Sequence, residues 1–322
     1  MGYYRPGGFQ ATLARAAEYC GPGLHCGKYV NMRILPAPPG TGIRFMRADI
    51  PGSPVIPARP ENVVSSARCT SIGSGEGARV DTIEHLMAAF RGLGVDNAIV
   101  ELDGPEVPMG DGSAAAFVEL ICQAGRIIQD EERLSLVLDS PIWVSEGDKH
   151  LIALPLGTMP HLDTNGSLVP GDRGAGGGPG EGLRVTFTFV GNHPAVGTQH
   201  VEFELDGEGD DGGVFVRELA PARTIGFVWE IEKLREAGLA LGGNLESAVV
   251  IGQEGYLGPL RFENEVARHK VLDIVGDFAL LGHVCAHIIG IKSNHAMNHM
   301  AIRAIAESAS YIDPVHPVHY AL

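Results

Sequence analysis

The sequence predicts an α+β fold in two halves, and three observations predict it. Strand-like and helix-like stretches are segregated rather than alternating. Each half runs strands first and then a pair of helices, which suggests helices on one face of a sheet. A polar stretch, residues 129–135, stands between the halves. The chain has 322 residues, 44% of them hydrophobic, enough for two cores, and the boundary falls near residue 130, giving domains of 1–130 and 131–322.

In the first half, KYVNMRILPA (28–37) alternates apolar and polar residues, as a half-buried strand does, and stops at proline. DTIEHLMAAFRGLG (81–94) carries Ile83, Leu86, Met87 and Phe90 at helical spacing, with Asp81 as its expected cap. NAIVELDG (97–104) is a strand ending in a Gly-Pro turn. SAAAFVELICQAG (113–125) is a helix opened by Ser113 and closed by Gly125. The second half resumes with strands in 136–155, 183–191 and 200–207, a helix at 226–238 and a strand at 247–252. Two long helical stretches follow, 263–282 and about 295–309. Residues 157–182 are glycine-rich with little to bury and are expected to form a mobile surface insertion. The tail, with His316 and His319, is expected to be disordered.

Composition narrows the function. The net charge is −15, from 24 Lys and Arg against 39 Asp and Glu, so a polyanion such as nucleic acid is repelled. The five cysteines, Cys20, Cys26, Cys69, Cys122 and Cys285, are odd in number and form no CxxC pair. Reduced thiols and a cytoplasmic protein are the expectation. The N-terminus has no apolar run of the signal-peptide kind, and Pro6 breaks a myristoylation pattern. Nowhere do about 18 apolar residues run together, so no membrane span is expected.

The chemistry concentrates on two helices. In RFENEVARHKVLDIVGD (261–277), His269 and Asp273 stand four apart and share one face. Such a pair is either a buried hydrogen bond or two ligands of a metal. Glu84 and His85 on the 81–94 helix point about 100° apart and can border one cavity. His85, His269 and Asp273 together would leave the fourth position of a zinc ion open, with Glu84 placed to take a proton from water there. His295, after the Ser-Asn turn of KSNHAMN (292–298), is an exposed cap neighbour or, beside a metal, a general acid or a positive charge for an oxyanion. His283, His287 and His299 are read as packing residues. Other motifs fail. HExxH, GxSxG and a GxGxxG after a strand are absent, and GPGLHCGKY (21–29) misses the P-loop pattern.

Several strings share an order with one family: GLHCGK, TIEHLMAAFRGLGVDNAIVELDGPEVPMGDGSA, NHPA, ARTIGF, GLALGG, RFENEVARHKVLDIVGD and KSNHAMN. Over roughly residues 8–310 the chain resembles the UDP-3-O-acyl-N-acetylglucosamine deacetylases, zinc amidases of the committed step in lipid A synthesis. The resemblance implies two similar two-layer sandwich domains, each a mainly antiparallel sheet on a helix pair, with the active site between them. It implies His85, His269 and Asp273 as zinc ligands, with iron as the alternative metal, and Asp273 also among the catalytic groups. Glu84 would be the general base, His295 the acid or electrostatic partner, and Thr224 the group steadying the oxyanion. Lys270 would reach the anionic head, with Lys149 and Lys292 on the nucleotide side.

The segment 222–252 would correspond to the family's insert, an apolar passage for the acyl chain lined by Leu24, Ile225, Ile231, Leu241, Leu245 and Ala248, with Gly243 also against the substrate. The chain departs from the family pattern at Val190 and Gly191, where many members carry an acidic residue and a base-stacking aromatic. It departs again at Ile225, where Phe is usual, and at Ala240, where some members have Cys. The expected partner is an acylated UDP-sugar, with no nucleic acid, no integral membrane segment, transient contact with a membrane surface, and a monomeric state. Two other readings accompany the deacetylase: a metal amidase acting on a different N-acyl sugar, and a non-catalytic binder of acylated sugar nucleotides.

Overall fold

The computed structural model describes residues 2–75, 77–156, 161–162, 168–169, 182–205 and 213–310. Its strands in the first half are β1 (Gly2–Leu13), β2 (Ala17–Pro22), β3 (Tyr29–Pro36), β4 (Ile43–Arg47) and β5 (Val55–Pro57). Then come β6 (Val63–Ser65), β7 (Ser71–Gly73), β8 (Arg79–Val80), helix α1 (Glu84–Gly92), β9 (Ala98–Leu102) and α2 (Ala115–Ala124). The second half has β10 (Arg126–Leu138), β11 (Ile142–Glu146), β12 (Lys149–Leu154), β13 (His161–Leu162), β14 (Leu168–Val169), β15 (Leu183–Val190) and β16 (Thr198–Leu205). It ends with β17 (Ile225–Phe227), α3 (Val228–Glu236), β18 (Val249–Ile251), α4 (Glu265–Phe278), β19 (His283–Ile291), α5 (His295–Ser308) and β20 (Ala309–Ser310). The architecture is α+β, as the segregated pattern predicts.

Two sheets organise the core. The first runs β2-β3-β9-β4-β5, antiparallel except for the β4:β9 pair. In β3 the alternation is literal: Val30, Met32 and Ile34 are buried while Tyr29, Asn31 and Arg33 face solvent. Helix α2 covers β2, with Phe117 edge-on to Tyr19. The second sheet runs β11-β12-β19-β10-β1-β20, and β15 and β16 branch from β19. Helices α4 and α5 lie on this sheet.

The structure departs from the sequence reading in three places. Residues 129–135 are not a bridge. They continue the 13-residue strand β10, which pairs antiparallel with β1 from Gly2↔Leu138 to Leu13↔Arg126, with bulges near Phe9. The polar pattern there reflects an open stretch of strand: Asp130, Glu131 and Glu132 are exposed, and β19 joins β10 only from Ser135. Strand β19 has no counterpart in the reading. HVCAHIIGI is almost wholly buried, pairs antiparallel with β12 and parallel with β10 and β15, and so shows no alternation to betray it. Asp81 does not cap α1. The helix starts at Glu84; Thr82 takes a left-handed φ of 58°, and the Asp81 carboxylate pairs with Arg79. At α2 the cap position falls on Ala114, one residue after the expected Ser113, whose hydroxyl still accepts the Ala115 N–H at 3.1 Å; Gly125 closes the helix at φ 75°, as expected. Of 157–182, the short β13:β14 pair and the residues up to 156 and from 182 are described; the rest, and the tail with His316 and His319, lie outside the described residues.

Candidate metal centre and its cavity

Helices α1 and α4 cross at Gly276, where a Cβ would lie 2.0 Å from the main-chain oxygen of Glu84. This contact brings the first turn of α1, with Glu84 and His85, against the face of α4 that carries His269 and Asp273. All four side chains are buried. One donor atom from each of His85, His269 and Asp273 falls within 4.8 Å of the others. Asp273 Oδ1 sits 3.3 Å from His269 Nε2 and 3.6 Å from His85 Nε2, and the two imidazoles meet edge-on with centroids 4.9 Å apart.

Three observations show that this trio fits a divalent metal. Asp273 Oδ1 is buried with no hydrogen-bond partner, while its Oδ2 accepts from Lys270 Nζ at 2.7 Å. A buried carboxylate oxygen left bare is costly unless something else meets it. His269 Nδ1 donates to the Ala222 carbonyl at 3.1 Å, which fixes the tautomer with Nε2 free to ligate. Protonation also suits. Burial pushes the His269 imidazole down to about 3, so it is neutral. Burial alone would raise the Asp273 carboxyl, but His269, Lys270 and His295 outweigh it and hold it well below the usual carboxylate range. Neutral imidazole and ionised carboxylate are the ligating forms.

Glu84 and His295 flank the trio. Burial raises the Glu84 carboxyl. Its Oε2 accepts the Thr70 N–H at 3.0 Å, and its Oε1 lies 3.9 Å from His295 Nε2. His295 Nε2 is also 3.6 Å from Asp273 Oδ2, and its Nδ1 donates to Asp277 Oδ2 at 2.8 Å. Burial alone would lower this imidazole; the Asp277 and Asp273 carboxylates outweigh that and push it up to about 9. The ring is thus cationic near neutral pH. A raised base and a raised acid 3.9 Å apart beside the trio is an arrangement suited to hydrolysis.

Residues 222–224 pack onto α4. Arg223 forms a buried forked pair with Glu265 in the first turn of α4, Nε to Oε1 at 2.9 Å and Nη2 to Oε2 at 3.2 Å. Thr224, next in sequence, donates its N–H to Gly112 at 2.7 Å and lines the cavity above the trio. The GLHCGK turn is fixed differently: buried Glu106 accepts the N–H groups of His25 and Cys26 and the Thr82 hydroxyl. Gly23 permits this, since a Cβ there would lie 2.4 Å from Glu106 Oε2.

The cavity holds about 760 Å³. Glu84, His85, His269, Lys270, Asp273, Thr224 and His295 line one part of it. Leu24, Ile225, Ile231, Ala240, Gly243, Leu245 and Ala248 line it as well, with the charged Arg68, Glu230, Glu232 and Arg235 also in the wall. Leu241 does not; it packs over Gly27 and is half exposed. Lys149 and Lys292 are outside the lining too. They stand side by side where β12 meets β19, next to the His150↔Ile291 pair, Lys149 on Glu146 and Lys292 on Asp148. At the departure from the family pattern, Val190 is exposed. A Cβ on Gly191 would lie 2.9 Å from the Phe189 ring, which itself faces the cavity.

Sequence reasoning passed over Phe189, Thr70, Glu106, Asp277 and Asn298, and read His299 as packing. Asp277 had a signal: it follows His269 and Asp273 in a second step of four along the same helix face. Thr70 had none, because it meets Glu84 and Asp277 only through the fold.

The family model described as UDP-3-O-acyl N-acetylglycosamine deacetylase, LpxC, matches residues 10–307. UDP-3-O-acyl-N-acetylglucosamine deacetylase of Syntrophotalea carbinolica is 41% identical over 94% of this chain and 89% of its own length. The protein of the same name from Myxococcus xanthus is 41% identical over 95% and 89%, and that from Trichormus variabilis 39% identical over 93% and 99%.

Proposed function

We propose, since the chain belongs to the UDP-3-O-acyl N-acetylglycosamine deacetylase family, that it hydrolyses the N-acetyl group of UDP-3-O-acyl-N-acetylglucosamine. The products are acetate and UDP-3-O-acyl-glucosamine, and the step commits the sugar to lipid A. The carrying observation is one cavity that joins a three-ligand metal centre and an acid–base pair to an apolar lining. A sugar nucleotide bearing an acyl chain needs both parts. No observation favours another N-acyl sugar as substrate or a non-catalytic binder.

The family is metal-dependent, and we assign the metal to His85, His269 and Asp273 as zinc, with iron as the alternative. A bound divalent ion supplies Lewis-acid polarisation of the acetamide carbonyl and acidifies water beside it. The chain's own residues do the rest. Glu84, held by the Thr70 N–H on one oxygen, takes the proton from attacking water on the other. Cationic His295 faces the developing oxyanion and returns a proton to the departing amine. Thr224, anchored through Arg223 and Gly112, contributes its hydroxyl to the oxyanion. Lys270 meets the anionic head, and Lys149 and Lys292 extend that positive side toward the diphosphate. Leu24, Ile225, Ile231 and Leu245 take the acyl chain, with Gly243 leaving room beside Leu24.

Two domains, with the division at 130 falling inside the unbroken strand β10 rather than in a linker, and a cytoplasmic, monomeric protein that touches membranes transiently belong to the same reading. No helix among the described residues is long and apolar enough to cross a membrane. The test is acetate release by purified protein from UDP-3-O-acyl-N-acetylglucosamine, with its metal content measured alongside. Metal-loaded protein that releases no acetate from this substrate ends the proposal.

A further inference from the structure

Behind the acid–base pair lies a buried polar cluster that no step above uses in full. Thr70, just before β7, is completely buried. Its N–H reaches Glu84 Oε2 at 3.0 Å, and its carbonyl accepts the Ile83 N–H at 3.2 Å, just before α1. Its hydroxyl lies 2.5 Å from Asp277 Oδ1 and 2.8 Å from His299 Nε2. Asp277 also accepts from His295 Nδ1 and from Asn298 Nδ2, each at 2.8 Å.

The proton count fixes the direction of every bond. A carboxylate only accepts, so the single Thr70 hydroxyl proton goes to Asp277. The same oxygen must then accept from His299, whose Nε2 therefore carries a proton. His299 Nδ1 is buried with no partner, in keeping with its being the bare nitrogen of that tautomer. The chain runs His299 Nε2–H to Thr70, Thr70 O–H to Asp277, and His295 Nδ1–H to Asp277. Asp277, saturated from three sides, is held still, and the His295 ring is thereby turned so that Nε2 faces Glu84 and the cavity.

We infer that Thr70 is a positioning residue which holds the base and the proton donor in register, its main chain clamping Glu84 and its hydroxyl clamping His295 through Asp277, with His299 setting the direction of that hydroxyl. One residue thereby links the two groups that must exchange a proton with the same substrate nitrogen and water. The inference rests on the acid–base roles given to Glu84 and His295 above.

The experiment compares Thr70→Val, Thr70→Ser, Thr70→Val in an Asp277→Asn background, and Glu84→Gln as the control on the reading itself. Valine keeps the shape and the N–H but loses the hydroxyl. Thr70→Val should lower kcat by about 10- to 100-fold, the range for losing a partner one shell behind a site. KM should change less than about twofold, serine should restore most of the rate, and the loss should vanish when Asp277 is already Asn. Nitrogen NMR of metal-loaded wild-type protein should show His299 protonated at Nε2 and bare at Nδ1. Thr70→Val with wild-type kcat, or His299 protonated at Nδ1, overturns the inference. If Thr70→Val does not fold, the serine variant and the NMR measurement still decide it: a serine variant as impaired as a Glu84 variant sinks the hydroxyl's role. Glu84→Gln at full rate would instead sink the acid–base reading and leave the cluster as structure alone.

Discussion

Gly276 touches Glu84 main chain to main chain: an added Cβ would sit 2.0 Å from the Glu84 oxygen and 2.8 Å from its carbonyl carbon. The metal trio exists because of this approach, since α1 supplies His85 and α4 supplies His269 and Asp273. No flexible side chain stands in the way that could swing aside, so a methyl group must push the helices apart.

Gly276→Ala should therefore couple stability to metal binding. Overpacking of this kind costs about 1–3 kcal/mol, and a clash with backbone belongs at the upper end. Helix propensity favours alanine by roughly 1 kcal/mol and offsets only part of this. Thermal unfolding and elemental analysis check it. A variant that keeps wild-type melting and full metal would show that the helices can spread without disturbing the trio.

Much of this was legible in the sequence because it is local. His269 and Asp273 are one helical turn apart, so spacing alone put them on one face, and Glu84 and His85 are neighbours about 100° apart that can border one cavity. That α1 and α4 meet was carried by resemblance, not by spacing. The β3 strand and helices α1, α2, α4 and α5 followed from period. Strand β19 escaped because burial on both faces erases alternation, and β10 was misread because its polar residues occupy one open edge of a long pair with β1. Thr70 escaped for a different reason: it reaches Asp277 across 207 residues, and no period encodes that.

Glu84→Gln and Asp273→Ala should fail in opposite ways. Glu84 offers one oxygen to Thr70 and the other toward His295, and stands outside the ligand trio. Glutamine keeps the acceptor for Thr70 but cannot take a proton, so metal should stay near wild-type content while kcat falls by about 10²–10⁴. Asp273→Ala removes the bare buried oxygen between the two imidazoles. Metal content should drop there, and chelation of the wild-type protein should abolish acetate release until a divalent ion is returned. Elemental analysis with an acetate assay separates the two. Loss of metal in the glutamine variant would place Glu84 among the ligands and withdraw its role as base.

Arg223→Met should cost about 3–5 kcal/mol, because it strands Glu265 as a buried charge without its fork. Glu265 would keep the main-chain N–H groups of Arg261 at 2.7 Å and of residue 223 at 3.1 Å, two neutral donors that do not replace the guanidinium charge for a carboxylate with no exposure. Since Arg223 lies between Ala222, which orients His269, and Thr224 in the cavity wall, activity should fall along with stability. Denaturant unfolding gives the first quantity. A loss under about 1 kcal/mol would mean that water or another cation replaces the guanidinium.

The apolar part of the cavity should read chain length. Ile231 reaches across to Gly226, where a Cβ would lie 2.8 Å from its Cδ1, and a Cβ on Gly243 would lie 3.3 Å from Leu24 Cδ1. These contacts leave little slack, so added bulk at Ile231 cannot be taken up by its neighbours. Ile231→Trp should exclude the far end of a long acyl chain, at about 1–3 kcal/mol for each methylene turned out, or tenfold or more in kcat/KM. A short-chain substrate should keep its kcat, because Ile231 is neither one of the metal trio nor one of the groups assigned to proton transfer. Rates measured on UDP-N-acetylglucosamine carrying short and long 3-O-acyl groups give the comparison. Equal losses on both would remove Ile231 from the acyl wall and assign that stretch of α3 to another task.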